Sequence, residues 1–311
     1  MKKFLIYVLL SSFLFSGTLD NVIKEKVLKC GVNKGLFGFS KIINNRWEGI
    51  DVDYCRALAA VVLGDSNKVQ FIPLTAQDRF NSLTNEKIDI LSRNTTWTYK
   101  RDASLGINFV GVLYYDGQGF MVSKESNITE TKQLDNTKIC FEKGTTIEKN
   151  LRNYFKKYKF NFTPKAYETN EKAIEAFFSS NCDVFTSDKS GLYSAKAQLK
   201  NPDNYIILSD IISKEPLSPA VKEGDDEWFD IAKWTLNTLL EAEEIGITSK
   251  NINKKMAQIN KKKEPFYRAI KQVGNYQEIF DKNIGKSSLL NIERGINNLW
   301  INGGLLYPLP F

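Results

Sequence analysis

Three short segments of the sequence carry side chains suited to holding a small charged molecule. The first is Ser92–Asp102, which offers hydroxyl groups, an amide and two arginines, Arg93 and Arg101. Arginine is suited to bidentate capture of a carboxylate, and such charge-assisted hydrogen bonds are about twice as strong as neutral ones. A capping turn with surface arginines has the same composition, so this segment alone favours neither interpretation.

The other two segments follow predicted strands further along the chain. Gly144-Thr145-Thr146 precedes a predicted helix, whose free N–H groups would attract an anion, although an ordinary threonine cap explains the turn taken alone. Asp188 ends a strand and could accept an ammonium group, or it could cap the helix that begins near Gly191. Together the three segments supply a carboxylate clamp and an ammonium acceptor, which is a complete grip on an α-amino acid.

Aromatic residues near these segments could form the walls of a pocket. Phe37 and Phe39 follow the first predicted strand, and Trp97 lies within the arginine-containing segment. Ligand pockets are largely apolar with a few placed polar groups, so we expect these rings to contact the ligand. Ordinary core packing is an equally good explanation for each ring.

The composition excludes several kinds of site. The 311-residue chain contains no His, which rules out a Ser-His-Asp triad, a Cys-His pair and a His-ligated metal. Its four cysteines are too far apart in sequence to form the CxxC pairs of a structural zinc site. We therefore predict no metal, no cofactor and no catalytic residues. The formal net charge of +7 is moderate, and the basic residues are dispersed, which does not suit a nucleic-acid-binding protein.

The first seventeen residues have the order of a secretory signal peptide. Lys2 and Lys3 precede an apolar run from Phe4 to Leu10, and small polar residues follow. We predict cleavage near Ser16-Gly17 and a soluble periplasmic protein. An uncleaved anchor is the alternative, but the apolar run is too short to span a bilayer comfortably.

Export favours disulfide bonds, because the compartment is oxidising and the number of cysteines is even. Four cysteines allow three connectivities. We prefer Cys30–Cys55 and Cys140–Cys182, because each bridge then stays within one local unit of the chain. Four buried thiols are the alternative.

Strands and helices alternate in two blocks. The block over residues 27–93 and the block over 138–210 each have the order β-α-β-α-β, which indicates a parallel sheet with helices on both faces. Residues 111–124 are extended and connect the blocks. Residues 216–221 contain two prolines and suit a connection better than a central strand. The C-terminal third is predicted to be helical.

These blocks predict two α/β lobes that face each other across a cleft, with the ligand at the carboxyl ends of the strands. We assign residues 1–17 to the signal peptide and residues 117–219 to lobe 2. Lobe 1 then consists of residues 18–116 and 220–311.

Several segments together resemble the solute-binding proteins of ABC importers for polar amino acids, in particular their general L-amino-acid-binding branch. The most specific are SRNTTWT (92–98), YDGQGFMV (115–122) and GGLLYP (303–308). Weaker matches are CGVNKGLFGFS, GIDVDYCRALAAVVLGD, GTTIE, CDVFTSDKSGLYSA, GNYQEIFDKNIG and RGINNLWINGGLLYP. The resemblance covers essentially the whole mature chain. One departure is the Lys-rich stretch 250–263, which is more basic than this family leads us to expect.

The resemblance implies a monomer with a type II-like periplasmic-binding-protein fold, a hinge of two crossing strands and a helical C-terminal extension. It implies that the lobes close on a free L-amino acid and deliver it to a membrane permease. Arg101, with Thr96, would bind the ligand carboxylate, and Thr146 with its turn, which includes Thr145, would complete that seat. Asn94 would present a carbonyl to the ammonium group, and Asp188 would accept it. The hinge would lie at residues 116–119 and 216–220.

The sequence also gives expectations about ligand specificity and about competing functions. The sequence shows no lone charge that must face the ligand side chain, so we expect broad specificity. The rival functions are an exported dehydratase-like enzyme and an amino-acid sensor without transport. An enzyme would need Asp, Glu, Lys or Tyr as its acid or base, and Asp188 beside Arg101 would stay ionised and make a poor acid. A sensor would be expected to carry a receptor helix or signalling domain, which the sequence lacks.

Overall fold

The computed structural model describes residues 17–255 and 264–310. The helices are α1 (Thr18–Glu25), α2 (Ile50–Leu63), α3 (Arg79–Thr84), α4 (Tyr99–Ser104), α5 (Ile147–Tyr158), α6 (Asn170–Phe178), α7 (Lys189–Ala197), α8 (Asp226–Glu244), α9 (Ile252–Lys255), α10 (Glu264–Gln272) and α11 (Tyr276–Asn283). The strands are β1 (Leu28–Val32), β2 (Gly35–Leu36), β3 (Ser40–Ile43), β4 (Arg46–Glu48), β5 (Val69–Pro73), β6 (Ile90–Leu91), β7 (Ile107–Phe109), β8 (Tyr114–Asp116), β9 (Gln118–Ser123), β10 (Thr137–Glu142), β11 (Phe162–Tyr167), β12 (Val184–Asp188), β13 (Tyr205–Ile207), β14 (Glu215–Leu217) and β15 (Ala220–Lys222).

Lobe 1 is built on a five-stranded sheet with the order β5-β1-β6-β15-β7. Strands β1, β5 and β6 are parallel, whereas β15 runs antiparallel to both of its neighbours. Helix α2 is buried from Ile50 to Val61 because the sheet, α8 and α10 all pack against it. The C-terminal helices therefore complete the core of this lobe.

Lobe 2 is built on a second five-stranded sheet with the order β11-β10-β12-β9-β13. Strand β9 is antiparallel to its two neighbours, and the remaining pairs are parallel. Apolar side chains cover both faces of the sheet. One core contains Phe120, Leu151 and Phe155, and the other contains Phe177 and Leu192. The two α/β lobes expected from the sequence are present.

Two crossing strands join the lobes. Strand β8 leaves lobe 1, and β14 returns from lobe 2 and pairs antiparallel with it, with Asp116 opposite Glu215. The C-terminal tail holds this junction, because Asn297 donates to the carbonyl oxygen of Tyr115 and accepts from its N–H group. The predicted hinge of two crossing strands is confirmed.

One expectation about the strands was wrong in part, and two features of the sheets were not foreseen. Neither five-stranded sheet is wholly parallel, because β15 and β9 run against the other strands. Residues 216–221 are more than a connection, because Ala220–Lys222 is an inner strand of the lobe 1 sheet. Pro219 lies just before that strand and therefore removes no hydrogen-bond donor from it. The small sheet β2-β3-β4 was not foreseen, because its strands have only two to four residues.

Each lobe contains one disulfide bond. Cys30 on β1 is bonded to Cys55 on α2, and Cys140 on β10 is bonded to Cys182, just before β12. The Cα–Cα distances are 6.4 and 5.8 Å. The predicted pairing is confirmed, and each bridge fastens another segment of the lobe to an inner strand of its sheet.

The predicted signal peptide lies outside the described residues, apart from Gly17, and so does part of the Lys-rich stretch. The described chain begins with α1, where the N–H group of Thr18 donates to the carboxylate of Asp225 at 2.7 Å. Among the described helices, none combines the length and apolar character needed to cross a membrane.

Candidate functional site

A polar cavity lies between the two lobes, at the ends of their central strands. Lobe 1 contributes the segments after β5 and β6, and lobe 2 contributes those after β10 and β12. The lining residues are Arg79, Arg93, Asn94, Thr96, Arg101, Glu142, Thr145, Thr146, Ile147, Thr186, Ser187 and Asp188. The carboxyl ends of parallel strands are where open α/β sheets bind ligands, so the position fits the topology.

A buried carboxylate fixes the loop after β6. Asp51, in the first turn of α2, accepts hydrogen bonds from the hydroxyl of Ser92 at 2.9 Å and from the N–H group of Asn94 at 3.0 Å. Asn94 has a φ of +33°, a left-handed conformation that asparagine tolerates better than most residues. Asp51 therefore fixes an unusual turn whose backbone faces the cavity.

Arg101 is fixed at the start of the short helix α4. Thr98 caps this helix by accepting from the N–H group of Arg101, and Nη1 of Arg101 donates to the carbonyl oxygen of Thr96 at 2.8 Å. The guanidinium lies 5.3 Å from the centre of the Phe80 ring. Burial lowers the pKa of Arg101 to about 10, opposed by the carboxylates of Glu215 and Asp188. Arg101 is therefore a preorganised cation at neutral pH.

Glu215 connects the two lobes and the hinge. Its carboxylate accepts from the hydroxyl of Thr96 at 2.6 Å and from that of Thr146 at 2.8 Å. It also accepts from Asn150 and Ser213, each at 2.6 Å. Both threonine hydroxyls donate to Glu215. The group that each threonine can still donate to a ligand is therefore its backbone N–H.

The turn after β10 brings lobe 2 against lobe 1. Gly144 has a φ of +77°, and a Cβ at this position would lie 3.1 Å from Cγ of Gln77 in lobe 1. The left-handed backbone therefore favours glycine here, and the close approach leaves little room for a larger residue. The hydroxyl of Thr145 donates to the carbonyl oxygen of Glu142 and closes the turn.

Asp188 faces the same cavity from the end of β12. It precedes α7, but its side chain makes no capping hydrogen bond within the part of the chain that the structure describes. Burial raises the pKa of this carboxyl first, and the carboxylates of Asp116 and Glu215 raise it further. Arg101 and Arg79 oppose the shift. An ammonium group beside Asp188 would relieve this concentration of negative charge.

The structure also places a lone cation in the cavity, contrary to expectation. Arg79, the first residue of α3, is only 2% exposed, and its Nε and Nη2 atoms have no hydrogen-bond acceptor among the described residues. Next to it, Arg93 donates to Glu142 of lobe 2 at 3.3 Å. The sequence analysis did not place Arg79 or Glu142 at the site. Their positions directly after β5 and at the end of β10 were the available signals.

The three aromatic residues predicted to contact the ligand do not line this cavity. Phe39 is buried in the core of lobe 1, where it makes an edge contact with Tyr114. Trp97 stacks on Phe109 and lines a different cavity formed with α8 and the C-terminal tail. Phe37 is partly buried and lies outside the cavity lining. The aromatic ring beside the arginines is instead that of Phe80.

Arg101, Asn94, Thr96, Thr145, Thr146 and Asp188 are brought together as the sequence analysis expected. Among the residues that the structure describes, no group of three or more His, Cys, Asp or Glu side chains could hold a metal ion. The arrangement is suited to binding a molecule with one anionic and one cationic group.

The chain belongs to the bacterial extracellular solute-binding proteins, family 3, whose family model matches residues 28–286. It is 46% identical to the general L-amino acid-binding periplasmic protein AapJ of Rhizobium johnstonii, over 94% of this chain and 92% of AapJ. It is 44% identical, with the same coverage, to the putative amino-acid ABC transporter-binding protein YhdW of Escherichia coli K12.

A solved structure has the same fold. The ABC transporter periplasmic binding protein from Brucella ovis, with glutathione bound, is 43% identical and superposes with a TM-score of 0.91. The match covers 94% of this chain and 99% of the Brucella protein. The two-lobed periplasmic-binding fold is therefore confirmed.

Proposed function

We propose that the protein binds free L-amino acids in the periplasm and delivers them to an ABC importer. The observation that carries this proposal is the pair Arg101 and Asp188, which present opposite charges to one cavity from opposite lobes. An α-amino acid has a carboxylate and an ammonium group on one carbon, so it would satisfy both at once. The names of AapJ and YhdW support the same ligand class and the transport role.

In this proposal each site residue has a defined role. Arg101 binds the ligand carboxylate, supported by N–H groups from Thr96 and from the turn of Thr145 and Thr146. Asp188 accepts the ammonium group, and Asn94 presents a carbonyl oxygen to it. Phe37, Phe39 and Trp97 have no part in the site.

Binding is coupled to closure of the lobes. Lobe 1 comprises residues 18–116 and 220–311, lobe 2 comprises residues 117–219, and the β8 and β14 strands form the hinge. Because the ligand contacts both lobes, it stabilises the closed form and shifts the open–closed equilibrium. The closed protein would then dock on its membrane permease. We further propose that it acts as a monomer, does not bind nucleic acid and is released after cleavage near Ser16-Gly17.

The proposed protein is a binding protein without catalytic activity. In this proposal both carboxylates described in the cavity have roles in binding, because Glu142 accepts from Arg93 and Asp188 is the acceptor for the ammonium group. The family membership supports the same conclusion.

Isothermal titration calorimetry of the mature protein, after it has been unfolded and refolded, tests this function. We expect L-amino acids to bind, and we expect N-acetyl-L-amino acids and L-amino-acid amides to bind at least about 100-fold more weakly, because each lacks one charge. Refolding removes ligand carried through purification. Equal affinity for the N-acetyl derivative would contradict the assignment of Asp188, and equal affinity for the amide would contradict that of Arg101.

A further inference from the structure

The cavity contains more positive charge than an amino acid's own carboxylate requires. Arg101 is already placed to bind that carboxylate, yet Arg79 lies in the same cavity with two donor nitrogens, Nε and Nη2, unpaired among the described residues. A buried guanidinium stays protonated, so Arg79 remains a desolvated cation. Leaving such donors unsatisfied is costly, which indicates that they are completed by a bound group.

The neighbouring ion pair, Arg93 with Glu142, connects the two lobes across the cleft. Arg93 belongs to lobe 1 and Glu142 to lobe 2, and their side chains meet at 3.3 Å. The same two residues line a second cavity, which also includes Leu74, Thr75 and Asn170. The pair therefore borders a cavity on each of its two sides. Arg93 is anchored at its base, because its Nε donates to the carbonyl oxygen of Leu74.

We infer that Arg79, Arg93 and Glu142 form a charge-switchable end of the site that binds the ligand side chain; we call it the side-chain end. The inference rests on the proposed amino-acid function and gives a physical reason for broad ligand specificity. An acidic side chain binds Arg79 directly and does not need to open the Arg93–Glu142 pair. A cationic side chain binds Glu142 in place of Arg93. A neutral side chain leaves the ion pair closed.

This arrangement also predicts an order of preference. The side-chain end has two cations and one anion, so it keeps one positive charge when the internal pair is closed. Acidic amino acids can bind without opening the pair, whereas basic ones must compete with Arg93 for Glu142. L-Glutamate is therefore expected to bind more tightly than L-lysine.

Calorimetry with L-glutamate, L-leucine and L-lysine tests the inference on four proteins: the wild type, Arg79→Met, Glu142→Gln and the control Arg152→Met. Arg152 is an exposed arginine of α5 paired with Glu148. We expect Arg79→Met to weaken L-glutamate by about 10- to 100-fold, the loss of a hydrogen bond to a charged group, and to change L-leucine less than about 3-fold. Glu142→Gln should weaken L-lysine by about 10-fold and not weaken L-glutamate. The control should change none of the three.

Three results would overturn the inference. Equal weakening of all three ligands by Arg79→Met would place Arg79 in the carboxylate seat beside Arg101. Unchanged glutamate affinity in that variant would make its charge irrelevant to the ligand. Failure of the wild type to bind any of the three would instead reject the amino-acid function on which the inference rests. If Arg79→Met does not fold, Arg79→Lys takes its place in the test. Lysine keeps the positive charge but cannot make the bidentate hydrogen bonds of a guanidinium, so this variant should weaken the binding of L-glutamate only.

Discussion

The two ends of the interlobe cavity hold their charged groups differently. At the main-chain end, formed by Arg101, Thr96, Thr146 and Asp188, fixed hydrogen bonds orient Arg101 and both threonines. At the side-chain end, Nε and Nη2 of Arg79 lack acceptors among the described residues, and one interlobe ion pair spans the space. The part of the ligand that every amino acid shares thus meets a preorganised surface, and the part that varies meets groups able to change partners. Rigid and adaptable recognition can therefore occupy one small cavity.

Replacing Arg101 should have the largest effect and affect all ligands alike. Arg101→Met removes the cation from the main-chain end, and losing one member of a buried charged pair costs about 2–5 kcal/mol, or about 30- to 5000-fold in affinity. Calorimetry with L-glutamate, L-leucine and L-lysine should show similar losses. A loss confined to L-glutamate would mean that Arg101 and Arg79 have exchanged roles.

Replacing Arg79 should have the opposite effect on stability and on binding. Arg79→Met replaces a buried cation that has unpaired N–H groups with an apolar side chain of similar length, which removes the cost of burying that charge. Urea unfolding without ligand should therefore show a stability equal to or above that of the wild type. A loss of more than about 1 kcal/mol would mean that Arg79 already has a partner in the unliganded protein. Arg152→Met serves as the surface control.

The Glu215→Gln variant tests whether the fixed geometry of the main-chain end matters. Glutamine offers one acceptor oxygen where Glu215 uses two, so at least one of the four hydrogen bonds to the hinge carboxylate is lost. We expect about 10-fold weaker binding of all three ligands, because both lobes' threonines are loosened. Small-angle scattering with saturating ligand should show incomplete closure. An unchanged affinity would reduce Glu215 to a structural residue.

Lowering the pH should weaken binding while the unliganded protein becomes more stable. Burial raises the pKa of Asp51, Asp89 and Asp116 to about 6 and raises that of Asp188 as well. The folded protein therefore binds more protons than the unfolded chain between about pH 4 and 6, so stability rises as the pH falls from 7.5 to 5.5. Burial also raises the pKa of Asp188, and its protonation removes the ammonium acceptor, so affinity should fall as the pH falls. Thermal unfolding and calorimetry at both pH values check the two signs, and a parallel change would contradict the assignment.

Much of the fold could be predicted because local signals determine it. The runs VLKCGV and VQFIPL are apolar enough to identify β1 and β5, and each cysteine pair lies within one lobe. The site residues that follow strands, such as Asp188, could be found from topology. The short strands β2, β3 and β4 could not be found, because two to four residues carry no clear hydrophobic period.

The remaining site residues depend on contacts between distant segments. Glu215 lies 119 residues from Thr96 and 69 from Thr146 along the chain, so no local pattern marks it as their common partner. Arg79 has the sequence environment of any arginine at the start of a surface helix, and only tertiary packing buries it. The same limit applies to Phe39 and Trp97, which lie outside the cavity lining, since a ring in a core and a ring in a pocket have the same sequence pattern.

A crystal structure of the refolded protein with L-glutamate tests the central claim most directly. We predict that the α-carboxylate of the ligand lies against Arg101, its ammonium group against Asp188 and its side-chain carboxylate within hydrogen-bond distance of Arg79. An α-carboxylate on Arg79, or an ammonium group away from Asp188, would contradict the division of the cavity into a fixed main-chain end and an adaptable side-chain end.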